Sequence, residues 1–216
     1  AIALGIAPIK EIIARSRLEV ADAEAALAEL LSTSSLFLLE EGTPTSSSDL
    51  LIASQQQWQT ARDRTLQIIE EFHKNSPLRR GIPREELKSK LKCTPRIFNA
   101  LLTQYAVQNM VRDSDNFVSL PAHEIRFNSG EQANIENLMR KFSQNPFGPP
   151  SVKECQQEVG VEVLSAMIES GELIPASSDV IFRKSDYDSM KSTVQQVIEQ
   201  NGRISLAEVR DLFKTS

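Results

Sequence analysis

Three times along the chain, two short helical stretches separated by a tight break are followed by a strand, a polar turn and a second strand, and then by a longer helix. Such recurrence constrains the fold more than any single motif, because small units of this size bury their apolar faces only in company. In the first pass, IKEIIARSRL and ADAEAALAELL precede LFLLEE (36–41), the turn-rich GTPTSSS and DLLIAS (49–54), and QQQWQTARDRTLQIIEEFHK follows as a helix. In the second, PREELKSKL (83–91) and PRIFNALLTQYAVQ (95–108) precede MVRDSDNFVSL (110–120), read as strand, turn and strand, and PAHEIRFNSGEQANIENLMRKF leads into a helix. In the third, SVKECQQEV and VEVLSAMIESG precede ELIPASSDVIFRK (172–184), followed by SDYDSMKSTVQQVIEQ.

The breaks have a physical basis. Pro83 and Pro95 suit the first turn of a helix, where no amide donor is needed, and Thr94 is placed to cap the helix after it. Ser151 with Glu154 has capping-box spacing, and Gly160 ends that helix. Each helix pair reads as a helix-turn-helix, and each pair with its hairpin as a winged helix. The expected fold is therefore mainly α with short β-hairpins: tandem winged-helix repeats in an elongated array, with boundaries at 1–57, 58–127, 128–189 and 190–216. Ser205 caps LAEVRDLFK, so the fourth repeat is expected to hold its first two helices only, with a third helix and wing beyond Ser216. NPFGPPS (145–151) is a surface loop or a hinge.

Composition excludes several classes of function. With 216 residues, 40% hydrophobic and 25% charged, the chain can bury a core, but 6% aromatic residues keep any single core modest. No run approaches the ~18 apolar residues of a membrane helix, so no membrane partner is expected. The opening AIALGIAPI lacks the flanks of a signal peptide, and the absent initiator Met predicts a fragment. Cys93 and Cys155 stand far apart with no second sulfur near either, which points to a reducing, cytoplasmic setting. His73 and His123 are equally solitary and read as surface or half-buried rings. Phosphate-binding loops, nucleophile elbows and zinc signatures are missing from the sequence, so no catalytic, cofactor or metal site is expected.

Charge ranks the repeats as nucleic-acid binders, since phosphate contact needs positive charge on the third helix or beside it. The first repeat has 3 basic against 8 acidic residues, the second 12 against 8, the third 5 against 10 and the last 4 against 3. Asp22, Glu24 and Glu29 face outward in the first repeat, and Glu162, Ser165 and Glu169 in the third, where carboxylates repel phosphate. In the second, Phe98, Leu101, Leu102 and Tyr105 form the buried stripe and leave Arg96, Asn99 and Thr103 outside. Arg79, Arg80, Arg84, Lys88, Lys90, Lys92 and Arg96 then make either a patch for phosphate or ribosomal RNA, or a solvated face with Glu86–Lys90 pairing.

The segments FHKNSPLRRGIPREELKSKL (72–91), PPSVKECQQEVG (149–160) and LAEVRDLF (206–213) resemble the C-terminal winged-helix arm of the bacterial selenocysteine-specific elongation factor SelB. The pattern EFH-x3-PLR-x-G-x-x-REEL is the most specific part, and the likeness extends over essentially the whole chain, weakest in the first repeat. The resemblance implies a monomeric, non-enzymatic arm that links a GTPase and tRNA-binding part to the selenocysteine insertion hairpin in mRNA. It implies as partners that hairpin, the ribosome and, through a separate N-terminal part, selenocysteinyl-tRNA; GTP and Mg belong to that separate part. In the family the last winged helix holds the hairpin, which by position leaves Arg203, Arg210 and Lys214 as RNA-contacting residues here. The competing expectation is a tandem winged-helix scaffold that binds only protein. A DNA-binding regulator ranks below both, because the pI is about 5.2.

Overall fold

The computed structural model describes residues 5–114 and 116–214; position 115 of the second expected turn and Ser216 lie outside the described residues. The protein is mainly helical with small antiparallel sheets. The first stretch runs β1 (Ala7–Pro8), α1 (Ile9–Ser16), α2 (Val20–Ser32), β2 (Leu36–Leu38), β3 (Leu51–Ser54). Next come α3 (Gln55–Asn75), β4 (Ile82–Pro83), α4 (Arg84–Leu91), α5 (Pro95–Val107), β5 (Arg112–Asp113) and β6 (Phe117–Ser119). Then follow α6 (Ser129–Gln144), α7 (Val152–Val159), α8 (Val161–Ser170), β7 (Leu173–Pro175) and β8 (Ile181–Arg183), and finally α9 (Lys184–Asn201) and α10 (Leu206–Phe213).

The starts of α3, α5, α6, α7 and α10 are set by side chains that satisfy the first free amides. Capping boxes open α3 (Ser54 with Gln57), α6 (Asn128 with Glu131), α7 (Ser151 with Glu154) and α10 (Ser205 with Glu208). Thr94 accepts from the Ile97 amide, with Pro95 in the first turn of α5. Pro83 does not enter the helix. It lies in β4 at the edge of its sheet, paired with Phe117, where a missing amide donor costs no ladder bond. Pro8 does the same in β1 opposite Leu51.

The helix ends are equally regular. Arg17, Lys92 and Lys214 take φ of 60°, 53° and 52° after α1, α4 and α10, and Gly160 takes 83° after α7. After α2, α5 and α8, Ser34, Asn109 and Gly171 are left-handed and close the helix with the same pair of bonds. The amides of Ser34, Asn109 and Gly171 reach the carbonyls of Leu31, Ala106 and Ile168, and the next amides reach those of Leu30, Tyr105 and Met167. The third strand also lies between the other two in both complete sheets, ordered β1-β3-β2 and β4-β6-β5. Ser151 makes the equivalent bridge to Val180 beside the β7-β8 pair.

The chain divides into two compact units. One holds the residues up to Ser76 together with Gly81–His123; the other holds Pro77–Arg80 and the residues from Glu124 onward. In the first unit one core joins the first hairpin to α5. Trp58 of α3 has its ring 6.1 Å from Phe37 and 4.9 Å from Tyr105, and Leu39, Leu51, Leu101 and Leu102 pack in the same cluster. Burying each such aliphatic side chain contributes roughly 1.5–3 kcal/mol. In the second unit Ile135, Leu138 and Phe142 of α6 cover Cys155, Val159 and Met167, with Leu78 in the same core. Burial pushes the Cys155 thiol up to about 11, which makes it a packing group and a poor nucleophile. The 145–150 loop is held by Phe147, whose ring lies 4.9 Å from Phe213 at the end of α10.

Candidate nucleic-acid interface

Helix α5 keeps Phe98, Leu101, Leu102 and Tyr105 inside, as its periodicity predicts, and presents Arg96, Asn99 and Thr103 outward. That outward face is not open along its length. The Arg96 guanidinium donates from Nε to Glu40 Oε1 at 2.8 Å and from Nη2 to Glu40 Oε2 at 2.7 Å, and from Nη1 to Asp49 Oδ2 at 2.6 Å. Both carboxylates come from the first hairpin. Glu40 also accepts the Leu51 amide at 3.0 Å, and Lys10 reaches Asp49 at 2.6 Å. The Arg96 bond holds the Glu40 carboxyl below its usual range, Lys10 and then Arg96 do so for Asp49, and the Arg96 guanidinium is raised in return. Fork-to-fork pairing of this kind is the geometry arginine would otherwise offer a phosphate.

Most of the other basic residues of the expected patch are also engaged, Lys92 excepted. Arg84 pairs with Asp113, donates to Asn99 Oδ1 at 2.9 Å and sits 5.3 Å over the Phe98 ring. Lys88 meets Glu85 at 2.5 Å and Lys90 meets Glu86 at 3.1 Å. Lys92 is exposed at the left-handed end of α4. Arg79 and Arg80 belong to the second unit, where Arg79 pairs with Glu169 at 2.9 Å and Arg80 donates to the Glu169 carbonyl at 3.0 Å. What remains beside α5 is an open groove of about 630 Å³, with Glu40 and Glu41 on one side and Asn99, Thr103, Gln104 and Val107 on the other.

Around α10 the situation is reversed. Arg203 lies in the loop before the helix, Arg210 in its last turn and Lys214 at its left-handed end; all three are exposed, and none has an ion-pair partner among the described residues. Of the outward acidic positions, Asp22, Glu24, Glu29 and Glu162 are exposed, while Glu169 is half-buried against Arg79.

The sequence reading missed one internal feature. His73 is 8% exposed, its ring stacked on His123 at 3.5 Å, and its Nε2 accepts the Leu120 amide at 3.2 Å. Burial, and then the neighbouring His123, push its pKa down from 6.5 to about 4. The signal was present: Trp58, Ala61, Thr65, Ile69 and His73 form the buried stripe of α3. Among the described residues there is no cluster of three or more potential metal ligands, and no helix is long and apolar enough to cross a membrane.

Residues 66–120 match the family described as elongation factor SelB, winged helix. The matched span begins inside α3 and ends one residue past β6, so it contains the α4–α5 pair and its hairpin. The selenocysteine-specific elongation factor of Desulfomicrobium baculatum is 25% identical over 156 residues, covering 68% of this chain and 24% of that protein. The chain is similar to the C-terminal winged-helix region of SelB. It spans about a quarter of the length of the curated relative it matches. The SelB match falls on a winged-helix domain, a non-catalytic kind of module, and on the part of the chain where Arg84 and Arg96 are ion-paired.

Proposed function

We propose that the chain is the mRNA-binding arm of a selenocysteine-specific elongation factor, linking a GTPase and tRNA-binding part to the selenocysteine insertion hairpin during UGA recoding. On this reading the divisions 1–57, 58–127, 128–189 and 190–216 are four winged-helix repeats, the first three serving as a spacer and the last as the hairpin reader. The observation that carries it is the state of Arg96: on the helix that would enter a groove, the outward arginine is held by Glu40 and Asp49 of its own chain. A helix so occupied suits packing between repeats better than phosphate contact, whereas Arg203, Arg210 and Lys214 around α10 are all exposed without an ionic partner among the described residues. The test is a hairpin-RNA titration of the 216-residue chain against one extended through the fourth repeat. The chain alone binds weakly and the extended one tightly; tight binding by the chain alone would remove the reader from the fourth repeat.

The acidic faces of α2 and α8 favour a second reading, a scaffold that binds only protein. An acidic or apolar third helix in the fourth repeat supports that reading, and a basic one supports RNA recognition.

A further inference from the structure

On α5 the positions Arg96, Asn99, Thr103 and Val107 recur at helical spacing, so they form one stripe along the 13-residue helix, about 16 Å long at the usual rise per residue. Asn99 and Thr103 are exposed, and Val107, at 78%, is the most open large apolar side chain among the described residues. Opposite the stripe stands the end of the first hairpin, with Glu40 and Glu41, and the two sides enclose the groove of about 630 Å³. Every wall of it belongs to the first unit. Its hydrogen-bonding groups are only partly used. Asn99 Oδ1 accepts from Arg84 at 2.9 Å and Gln104 Nε2 donates to the Leu39 carbonyl at 3.3 Å, which leaves the Asn99 amide donors, the Thr103 hydroxyl and Gln104 Oε1 without a partner among the described residues.

The charge of the groove is one-sided. Glu40 and Glu41 line it against a single cation, Arg96, and that guanidinium is already held by Glu40 and Asp49. Glu41 is exposed and has no ionic partner among the described residues. The neighbouring cations add nothing to this balance, because Arg84 is paired with Asp113 and Lys10 with Asp49. Behind the acidic wall, residues 1–57 hold 3 basic against 8 acidic side chains.

We infer that this groove receives an extended, basic segment of a partner protein, with lysine or arginine side chains toward Glu41 and Glu40 and an aliphatic side chain against Val107. Charge complementarity selects that occupant, since the same carboxylates repel a phosphate backbone. The dimensions agree with it: an extended chain of about five residues spans a stripe of this length. So does the polar lining, in which the unused donors and acceptors of Asn99, Thr103 and Gln104 suit peptide N–H and C=O groups, which seek such partners when they leave water.

The inference is independent of the RNA role proposed above, and its test reads the groove directly. The 216-residue chain, labelled with ¹⁵N, is titrated with a nine-residue peptide of lysine, arginine and alanine around one central leucine. The same peptide with glutamate at every basic position is the control, and a short RNA duplex is the second titrant. The basic peptide shifts the backbone amides of Asn99, Thr103, Gln104 and Val107 along one saturable curve, and the acidic peptide and the duplex do not. Glu41→Lys weakens the basic peptide at least about fivefold, and Thr103→Arg, which places a long cation in the groove, does so at least about tenfold. Both positions are exposed, so the melting temperatures of the two variants stay within about 2 °C of the parent, which separates loss of binding from loss of fold. No saturable shift at these four amides by about 1 mM peptide, or an affinity indifferent to both substitutions, would overturn the proposal. Shifts of the same amides by the duplex would make nucleic acid the occupant, and shifts that grow with protein concentration alone would make it a second copy of this chain; either result overturns it too.

Discussion

The basic residues beside α5 and those around α10 look alike in a charge count and differ in what holds them. Beside α5, Arg84 and Arg96 are bound by Asp113, Glu40 and Asp49, some of them dozens of residues away in sequence. Around α10, Arg203, Arg210 and Lys214 face solvent without an ionic partner among the described residues. Residues 58–127 are the most basic stretch by composition, yet Arg84, Lys88, Lys90 and Arg96 are already neutralised by nearby carboxylates, and both partners of Arg96, Glu40 and Asp49, come from the acidic stretch before it. Net charge therefore ranks stretches of the chain by how much positive charge they contain, and the ion-pair map ranks them by how much is available to phosphate.

The comparison breaks most completely if the first hairpin can be detached from α5 at no cost. Trp58→Ala removes the ring between Phe37 and Tyr105 and is expected to lower the stability of the first unit by about 3–5 kcal/mol, read from urea unfolding. A cost below about 1 kcal/mol would mean that hairpin and helix are not one body.

A smaller effect comes from pH. Because the folded pKa of His73 lies below the unfolded value, the unfolded state takes up a proton first as pH falls from about 6.5 towards 4. Stability of the first unit is therefore full above about pH 6.5 and drops by roughly 1 kcal/mol by pH 5.5. His73→Gln flattens that slope; an unchanged slope would assign it to other groups. The lowered Glu40 and Asp49 carboxyls act in the same direction but in a more acidic window, as pH falls below about 4.5.

Arg96→Met isolates the clamp itself. The guanidinium is partly exposed, so its loss costs only about 1 kcal/mol, and it leaves the salt dependence of RNA binding unchanged. Smallest is Lys92→Gly. A lysine at φ 53° is strained where glycine is not, and the substitution stabilises by about 0.5–1 kcal/mol. The same change at Arg17, φ 60° in the equivalent place, tests whether the two helix pairs share one geometry.

Most of the local structure was legible in the sequence because it is set by neighbours. The box at Ser151, the caps at Thr94 and Ser205, the stop at Gly160 and the stripe Phe98, Leu101, Leu102, Tyr105 all depend on residues within one or two turns. The strands β1 and β4 were not legible: two residues ending in proline give no alternation, and only pairing with β3 and β6 makes them strands. The charge site was half legible. Arg96 was placed outward correctly, but its partners Glu40 and Asp49 lie 56 and 47 residues away, a separation no periodicity reports. The His73–His123 stack was hidden for the same reason.

The most direct measurement is the salt dependence of hairpin-RNA affinity in the extended chain proposed above, compared between Arg84→Ala/Lys88→Ala/Arg96→Ala and Arg203→Ala/Arg210→Ala/Lys214→Ala. The first set leaves the slope of log affinity against log salt unchanged, and the second reduces it by about 1 for each phosphate that is no longer neutralised. A reduced slope in the first set with none in the second would contradict the account, placing phosphate on α4 and α5 and leaving α10 as bare surface.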